Sequence, residues 1–524
     1  MDSSRILVID FGSQYSHLIC RRSRELNVFS ELCACTVSVE EVEKFNPTGI
    51  ILSGGPSSVY EEGAPHLKTQ VWDWIRQSNM PLLGICYGLQ EMMQANGGKV
   101  EKGPKGEFGF STLVVKNSMS ELFRNVPEKF PVWMSHGDKV TQLAPGFEIS
   151  AVSDNSEMCA VESVDGKWFG LQFHPEVTHT KFGTELLRNF IINTCACAAE
   201  WTMKKFIDVE VEKIHQVVGD KCHVIGAVSG GVDSSVGAAL LHRALGNRFH
   251  PILVDTGLMR LNEAAEVKKR LESHIPGLDL LVVDAKSKFF SALDGISDPE
   301  KKRKIIGGLF IETFDDTVKN VLSVDPSECF LLQGTLYPDV IESVSYKGPS
   351  HTIKTHHNVG GLPDKMKMKI LEPFRLLFKD EVRQVGMELG LHHDSVFRHP
   401  FPGPGLAIRI IGEITEEGVD VLQRADNIFI EELKASGEYD KIGQAFVVLL
   451  NDVKSVGVMG DCRTHEKVVC LRAVQTSDFM TADWYRMPYE LLAKVSTRIV
   501  NEVRGVNRVT YDVTSKPPAT IEWE

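Results

Sequence analysis

Basic residues are in the minority in this 524-residue chain: Lys and Arg total 57 against 70 Asp and Glu, for a formal net charge of −13. Generic attraction to a nucleic-acid backbone or an anionic membrane surface is therefore not expected, and small anions are the better partners. Long apolar runs are missing too. No stretch reaches the roughly 18 consecutive apolar residues of a membrane-spanning helix. The opening "MDSSRILVIDFG" lacks a basic segment followed by a signal-type apolar stretch, so a cytosolic protein is expected. Eleven cysteines in a chain of this length do not make a disulfide framework. The close pairs Cys33/Cys35 and Cys195/Cys197 have C-x-C rather than C-x-x-C zinc spacing, which favours buried or idle thiols over a metal site. Adjacent His356 and His357 point apart and are better read as part of a substrate or lid loop than as a metal pair. No solenoid-type repeat and no low-complexity segment occurs.

What remains is an ordinary globular composition, 43% hydrophobic and 24% charged, long enough for three or four domains at about 150 residues each. From residue 5 to about 195, β-rich runs ("RILVID", "GIILSGG", "PLLGIC", "WFGLQFH") alternate with helical patterns. That alternation predicts an α/β domain around a mainly parallel sheet. A helical stretch from Thr184 to Gly219 bridges to a second series, "HVIGAVSGG", "HPILVDTG", "LLVVDA" and "CFLLQGT". "RHPFPGPGLAIR", residues 398 to 409, holds three prolines and two glycines and predicts a stiff, non-helical crossing. Strand-like "AFVVLLN", "KVVCLRAVQ" and "RVTYDV" with helical "YELLAKVSTRIVNEVRG" then form a smaller α+β unit. The expected domains are 1–200 and 201–396, both α/β with mainly parallel sheets, and 397–524, α+β.

Two stretches carry chemistry. In "PLLGICYGLQEMMQANGG" an apolar run reaches Cys86 and turns at once into a helical pattern, and Gly84 and Gly88 permit the sharp turn of a nucleophile elbow. A thiol at a helix N-terminus is favoured as thiolate, the attacking form. "GLQFHPEVTHT" offers His174 as base and Glu176 to orient it. The second stretch is "VSGGVDSSVG", residues 228 to 237, which lies between an apolar run and a helical pattern. It looks like a phosphate cradle, yet it lacks the Lys and Ser/Thr that close a Walker-type loop. Two glycines let backbone N–H groups close around an oxyanion, serines add hydroxyl donors, and a helix beginning near Ser234 aims its N-terminus at the same place. Asp233 is placed to hold Mg²⁺ against those phosphates.

The first domain resembles the class I glutamine amidotransferases, through the nucleophile motif G-x-C-x-G-x-Q and the later H-P-E. The resemblance implies glutamine hydrolysis through a thioester at Cys86. It further implies an oxyanion site at the backbone of Gly55, in "ILSGGPSSV", and of Tyr87, with glutamine recognition by Gln90 and "MSHGD", residues 134 to 138. Ser229-Gly230-Gly231-Val232-Asp233-Ser234-Ser235 resembles the PP-loop of the N-type ATP pyrophosphatases, an adenine nucleotide α-hydrolase-like fold. That implies a hold on the β,γ-pyrophosphate and cleavage between the α- and β-phosphorus, with adenine and ribose contacts near "LVDTGLM", residues 253 to 259. A class I glutaminase, then a PP-loop domain, then a last unit ending "TSKPPATIEWE" is similar to the glutamine-hydrolysing GMP synthetase family. Membership implies that ATP adenylates xanthosine 5′-monophosphate (XMP) and ammonia displaces AMP to give GMP. It assigns Arg303, Asp478, Lys516 and Glu522 to XMP, Lys379 and Asp380 to a mobile lid over ATP, and dimerisation to the third domain. A tRNA-modifying PP-loop enzyme is disfavoured by the acidic balance, and a glutaminase merely regulated by nucleotide would release no pyrophosphate.

Overall fold

The computed structural model describes residues 4–320, 329–343, 368–459, 461–476, 479 and 481–524. The chain divides into two compact units, one of Met1–Phe206 with Leu336–Gly361, the other of Ile207–Thr335 with Leu362–Glu524. The first unit begins β1 (Arg5–Asp10), α1 (Ser16–Glu25), β2 (Phe29–Ala34), α2 (Val39–Phe45), β3 (Gly49–Leu52), α3 (Thr69–Gln77), β4 (Leu82–Ile85) and α4 (Tyr87–Ala95). It continues with β5 (Lys99–Val115), β6 (Lys129–Gln142), β7 (Phe147–Ser153), β8 (Ala160–Ser163), β9 (Trp168–Leu171) and α5 (Gly183–Arg188). One nine-stranded sheet runs in the order β2-β1-β3-β4-β9-β8-β7-β5-β6.

Strands β2, β1, β3, β4 and β9 pair in parallel. The four apolar runs picked out from the sequence are β1, β3, β4 and β9; β3 and β4 are buried at every position. Parallel strands covered on both faces read as unbroken apolar runs. The other half of the sheet is antiparallel, which the expected mainly parallel arrangement did not include. Buried and exposed residues largely alternate along β6, so it offers no such run to find. The helical bridge is also interrupted: α5 passes into a π-helical turn at Asn189–Thr194, and α6 resumes only at Met203–Val218. Ala196, between Cys195 and Cys197, has a φ of 51°, a left-handed value at which a helix stops.

The second unit holds two sheets. Strands β10 (His223–Ala227), β11 (Phe249–Asp255), β12 (Leu281–Asp284), β13 (Cys329–Leu332) and β14 (Lys369–Leu371) lie in the order β12-β11-β10-β13-β14, all parallel. Its helices are α7 (Val232–Leu245), α8 (Glu263–His274), α9 (Lys286–Leu293), α10 (Pro299–Asn320), α12 (Lys379–Glu388) and α13 (His393–Val396), while α11 (Tyr337–Ser343) falls in the first unit. Strand order reverses at β10, and ligands of open α/β sheets bind beyond the carboxyl ends of strands at such a point. The residues that follow β10 are Val228 to Gly231.

The last sheet joins β15 (Ile410–Ile411), β16 (Gln444–Met459), β17 (Cys462–Gln475) and β18 (Asp483–Trp484), with β19 (Val506–Tyr511) against β17; α14 (Glu416–Ala435) and α15 (Tyr489–Glu502) accompany it. One hydrophobic cluster contains Ile225 and Leu331 from the first of these sheets, Val447 and Leu471 from the second, and Ile499 of α15. The proline-rich crossing leaves α13 and stays non-helical until a 3₁₀ turn at Gly405–Arg409. At Gly405, φ is +65°, and a Cβ there would lie 2.3 Å from the Leu258 carbonyl oxygen.

Residues 512–524 are held by cations that have no exposure of their own. Lys302, fully buried, donates to the Ile410 carbonyl at 2.7 Å and to Glu524 Oε2 at 2.6 Å. Arg409 forks onto Glu522 through Nε at 3.1 Å and Nη2 at 2.8 Å. Arg472 donates to the carbonyls of Thr514 and Thr520. Removing one partner of a buried ion pair strands the other. Lys302→Met should therefore lower stability by about 3 kcal/mol, read as a fall in the denaturant midpoint of the second unit's transition; a midpoint equal to wild type would show that the pair is dispensable.

Candidate functional site

Cys86 follows the last residue of β4 and caps α4 with φ 53° and ψ −103°. Such a backbone costs roughly 1–3 kcal/mol and persists only where its surroundings enforce it. The enforcement is close packing: a Cβ on Gly84 would lie 2.6 Å from the Gly88 carbonyl oxygen, and one on Gly88 would lie 2.3 Å from that of Leu52. The elbow is built because both flanking positions lack side chains. β9 is the other neighbour of β4, with Leu171 opposite Ile85, so the chain leaving β9 passes the elbow and delivers His174.

His174 and Glu176 are buried, with His174 Nδ1 2.7 Å from Glu176 Oε1. The Thr180 hydroxyl donates to the His174 carbonyl at 2.6 Å, and the His174 N–H donates to the Trp133 carbonyl at 3.0 Å. Arg22 Nε donates to the Glu176 carbonyl at 3.1 Å. Burial by itself would lower the His174 pKa. The Glu176 charge, with hydrogen bonds to Cys86 and Glu176, outweighs it and pushes the value up to about 11. These influences together favour the protonated ring. A histidine oriented by a carboxylate beside a cysteine is the arrangement of a cysteine nucleophile with its base.

Around the sulfur lie the Ser135 carbonyl at 3.7 Å and Gln172 Nε2 at 3.8 Å. Gln90 Nε2 donates to the Asp138 carbonyl at 3.0 Å, which brings "MSHGD" and Gln90 to the same side of the elbow. Tyr87 donates its hydroxyl to the Pro65 carbonyl at 2.7 Å. A Cβ on Gly55 would lie 3.1 Å from Tyr87 Cγ, so those two backbone segments are neighbours. Ser135, Gln172 and Thr180 were not singled out in the sequence, although all three fall inside stretches quoted above. Also unforeseen is the buried contact of His136 Nε2 with Glu107 Oε2 at 3.0 Å, where burial lowers the imidazole pKa despite the nearby carboxylate.

At the end of β10, Gly230 has a φ of +77° and Gly231 caps α7, so the helix starts at Val232, two residues before the expected place. Gly231 N–H donates to Ser229 Oγ at 3.3 Å, and Ser234 Oγ lies 3.3 Å from Ser229 Oγ. Asp233 stands in the first turn of α7 and pairs with Lys379. Its second oxygen, Oδ1, is buried with no hydrogen-bond partner among the described residues. Val232 is buried, and Ser235 is wholly so, its hydroxyl without a partner among the described residues. The loop's exposed hydroxyls are therefore those of Ser229 and Ser234. Lys379 and Asp380, expected in a mobile lid, lie in the first turn of the ten-residue helix α12.

Of the four expected acceptor residues, Arg303, Lys516 and Glu522 lie among the described residues. Arg303 Nη2 donates to the Glu524 carbonyl at 2.6 Å, and Glu522 is taken by Arg409 and by Gln444. Both hold residues 512–524 in place, because the buried guanidinium of Arg409 needs a counter-charge. Asp478 lies outside the described residues, as do the paired histidines 356 and 357. Lys516 donates to the Phe479 carbonyl at 2.6 Å and lines a cavity of about 980 Å³ with Arg383, Arg398, Lys441, Thr476 and Phe479. Among the described residues, no three His, Cys, Asp or Glu are grouped to hold a metal, and no helix is long and apolar enough to cross a membrane.

Residues 7–194 match the family model "Glutamine amidotransferase class-I", and residues 431–523 match "GMP synthase C terminal domain". The chain is 56% identical to "GMP synthase [glutamine-hydrolyzing]" of Candida glabrata over 520 residues, covering 99% of this chain and 98% of the relative. The protein of the same description from Saccharomyces cerevisiae gives the same identity and coverage. That of Yarrowia lipolytica is 56% identical over 522 residues. An elbow cysteine with its buried His–Glu pair, a glycine–serine loop at a strand-order reversal and 56% identity to these relatives over 99% of the chain agree: the chain belongs to the glutamine-hydrolysing GMP synthase family.

Proposed function

We propose that the two sites divide one reaction, glutamine serving as nitrogen donor and ATP as activator for the conversion of XMP to GMP. The observation that carries this reading is the occurrence, in one chain, of the Cys86–His174–Glu176 constellation and the Ser229–Ser235 loop. In the first unit the Cys86 thiolate attacks the carboxamide carbon of glutamine. Backbone N–H groups at Gly55 and Tyr87 face the resulting oxyanion. The His174 imidazolium gives its proton to the departing ammonia, leaving a thioester on Cys86. Water then attacks the thioester, His174 accepts its proton, and glutamate leaves.

In the second unit the Ser229 and Ser234 hydroxyls and the N-terminus of α7 hold the β,γ-phosphates. The C2 oxygen of XMP attacks the α-phosphorus, pyrophosphate departs, and the oxygen becomes part of a good leaving group. Ammonia then attacks C2, AMP leaves, and GMP results. Asp233, with one oxygen buried and unbonded, fits an Mg²⁺ ion held by one carboxylate, phosphate and water. Bound there, Mg²⁺ supplies charge neutralisation on the pyrophosphate. Lys379, already on the other Asp233 oxygen, adds a second cation beside it. The 980 Å³ cavity, with Lys516, Arg383 and Lys441 for a phosphate and Phe479 for a base, is large enough for XMP. Arg303 and Glu522, which also hold residues 512–524, are assigned with Asp478 to XMP by family resemblance, and Asp380 to the ATP side.

We further read domains 1–200, 201–396 and 397–524, with homodimerisation through the last, in keeping with exposed Val453, Val456 and Val458 on β16. A cytosolic location is in keeping with eleven cysteines all left as thiols.

Quantifying glutamate, AMP, pyrophosphate and GMP together, from glutamine, ATP, Mg²⁺ and XMP, should give equal amounts; ADP and orthophosphate in place of AMP and pyrophosphate would overturn the reading. Cys86→Ala should lose at least about 10³-fold in glutamine-dependent synthesis while keeping synthesis from added ammonia, and loss of both in a folded variant would refute the division of labour. Asp233→Asn should do the reverse, abolishing pyrophosphate release and sparing glutamate release. The imidazolium is the active form of His174 and is present below its raised pKa, so wild-type glutaminase should fall only as pH approaches about 11. In Glu176→Gln the largest raising influence is gone and burial dominates. The alkaline fall should then move to lower pH, and initial rates between pH 6 and 10 that superimpose on wild type would contradict this.

A further inference from the structure

Arg398 opens the proline-rich crossing, which the sequence marks only as stiff. Its Nη1 donates to the carbonyl of Gly230 at 2.7 Å, and its Nη2 is paired with Glu263 Oε1. Glu263 is 4% exposed, and its other oxygen accepts from the Arg260 backbone N–H at 3.0 Å. Burial would raise the Glu263 carboxyl pKa. The guanidinium charges of Arg398 and Arg260, with their hydrogen bonds, overcome that and hold it below the ordinary carboxylate range. The pair is therefore charged. A Cβ on Gly230 would lie 2.4 Å from Val267 Cγ2 of α8, so the loop is pressed against the element that also carries Glu263.

A trans peptide points its carbonyl and the following N–H in opposite directions. By drawing the Gly230 carbonyl toward α8, Arg398 presents the Gly231 N–H on the other side, toward the Ser229 hydroxyl that it reaches at 3.3 Å. That is the side on which an anion would meet Ser229, Ser234 and the start of α7. A Gly-Gly peptide is the one most free to flip, since neither residue has a Cβ to oppose positive φ. Unanchored, it could turn its carbonyl oxygen toward the phosphates and repel them.

We propose that Arg398 is the positioning residue of the phosphate loop: the Glu263–Arg398–Gly230 chain locks the Gly230–Gly231 peptide in the orientation that binds the β,γ-pyrophosphate of ATP. The proposal rests on the reading of this loop as a pyrophosphate site. Lysine cannot replace the fork, because a single ammonium does not span a carboxylate and a carbonyl in fixed geometry.

The test is calorimetric titration of the full-length protein with Mg²⁺–pyrophosphate and with α,β-methylene-ATP, whose α–β linkage cannot be cleaved. Wild type should bind both. Arg398→Gln should weaken both by at least about tenfold, the scale of a lost hydrogen bond to a charged group, and Arg398→Lys should recover only part. Arg398→Ala should regain binding when millimolar guanidinium is added, a recovery that general loosening of the fold would not show. If Arg398→Gln does not fold, Glu263→Gln carries the test: it keeps the guanidinium but weakens its second anchor, and at least about threefold weaker binding is expected. Binding within twofold of wild type in the folded variants, or an alanine variant deaf to guanidinium, overturns the proposal while leaving the pyrophosphate reading intact. A wild type that binds neither ligand overturns that reading, and this inference with it.

Discussion

Both sites depend on a backbone that turns from a buried parallel strand into a helix more sharply than flanking side chains would allow. At β4 the turn forces Cys86 to a positive φ of 53° and brings Gly88 against the Leu52 carbonyl. At β10 the turn falls to Gly230, whose positive φ carries no penalty, and the cost is moved to an anchor of charged residues behind the loop. The difference follows from the cargo. A nucleophile must carry a side chain at the bend, so strain there is unavoidable, whereas a phosphate cradle uses main-chain N–H groups and can be made of glycine.

Charge is distributed with similar economy. The chain is acidic overall, yet the second unit buries Lys302, Arg409 and Arg472 without exposure. Each is matched to carbonyl oxygens or to a carboxylate contributed by residues 512–524. Net charge thus describes long-range behaviour, while the local field is set by which groups are withdrawn from water. In the first unit the same withdrawal acts on the pair His174 and Glu176. Glu176, completely buried, has no water to screen it from His174, and its charge raises the His174 pKa against the effect of burial.

Legibility in the sequence tracked burial. The eleven runs picked out as strand-like all contain strands, and the clearest of them, β3, β4 and β13, are buried at every position, because strands covered on both faces contain little but apolar residues. The antiparallel strands β5 to β8 were not picked out; exposed positions interrupt the apolar pattern of β6 and β7, and β8 is only four residues long. The helical bridge was seen as continuous, and only the left-handed Ala196 shows where it stops. Among candidate site residues, Cys86, His174, Glu176, Ser229, Gly230, Gly231, Asp233 and Ser234 stand where the motifs put them. Val232 and Ser235 share the motif but are buried, since a helix turns successive residues to different faces. Arg303 and Glu522 are occupied in holding residues 512–524.

The sequence by itself determined the local chemistry: an elbow cysteine, a His-Pro-Glu, a loop of glycine and serine after a strand, and the kinds of element between them. These are short-range properties, set by φ freedom, side-chain volume and apolar periodicity within a few residues. Only the tertiary structure decided that β9 lies beside β4 and so delivers His174 to Cys86, that strand order reverses at β10, where the glycine–serine loop begins, and that Arg398 reaches back across 168 positions to hold Gly230. Such neighbours are chosen by strand pairing and by the need to neutralise buried charge. Both are settled by the whole packed chain rather than by any one stretch of it.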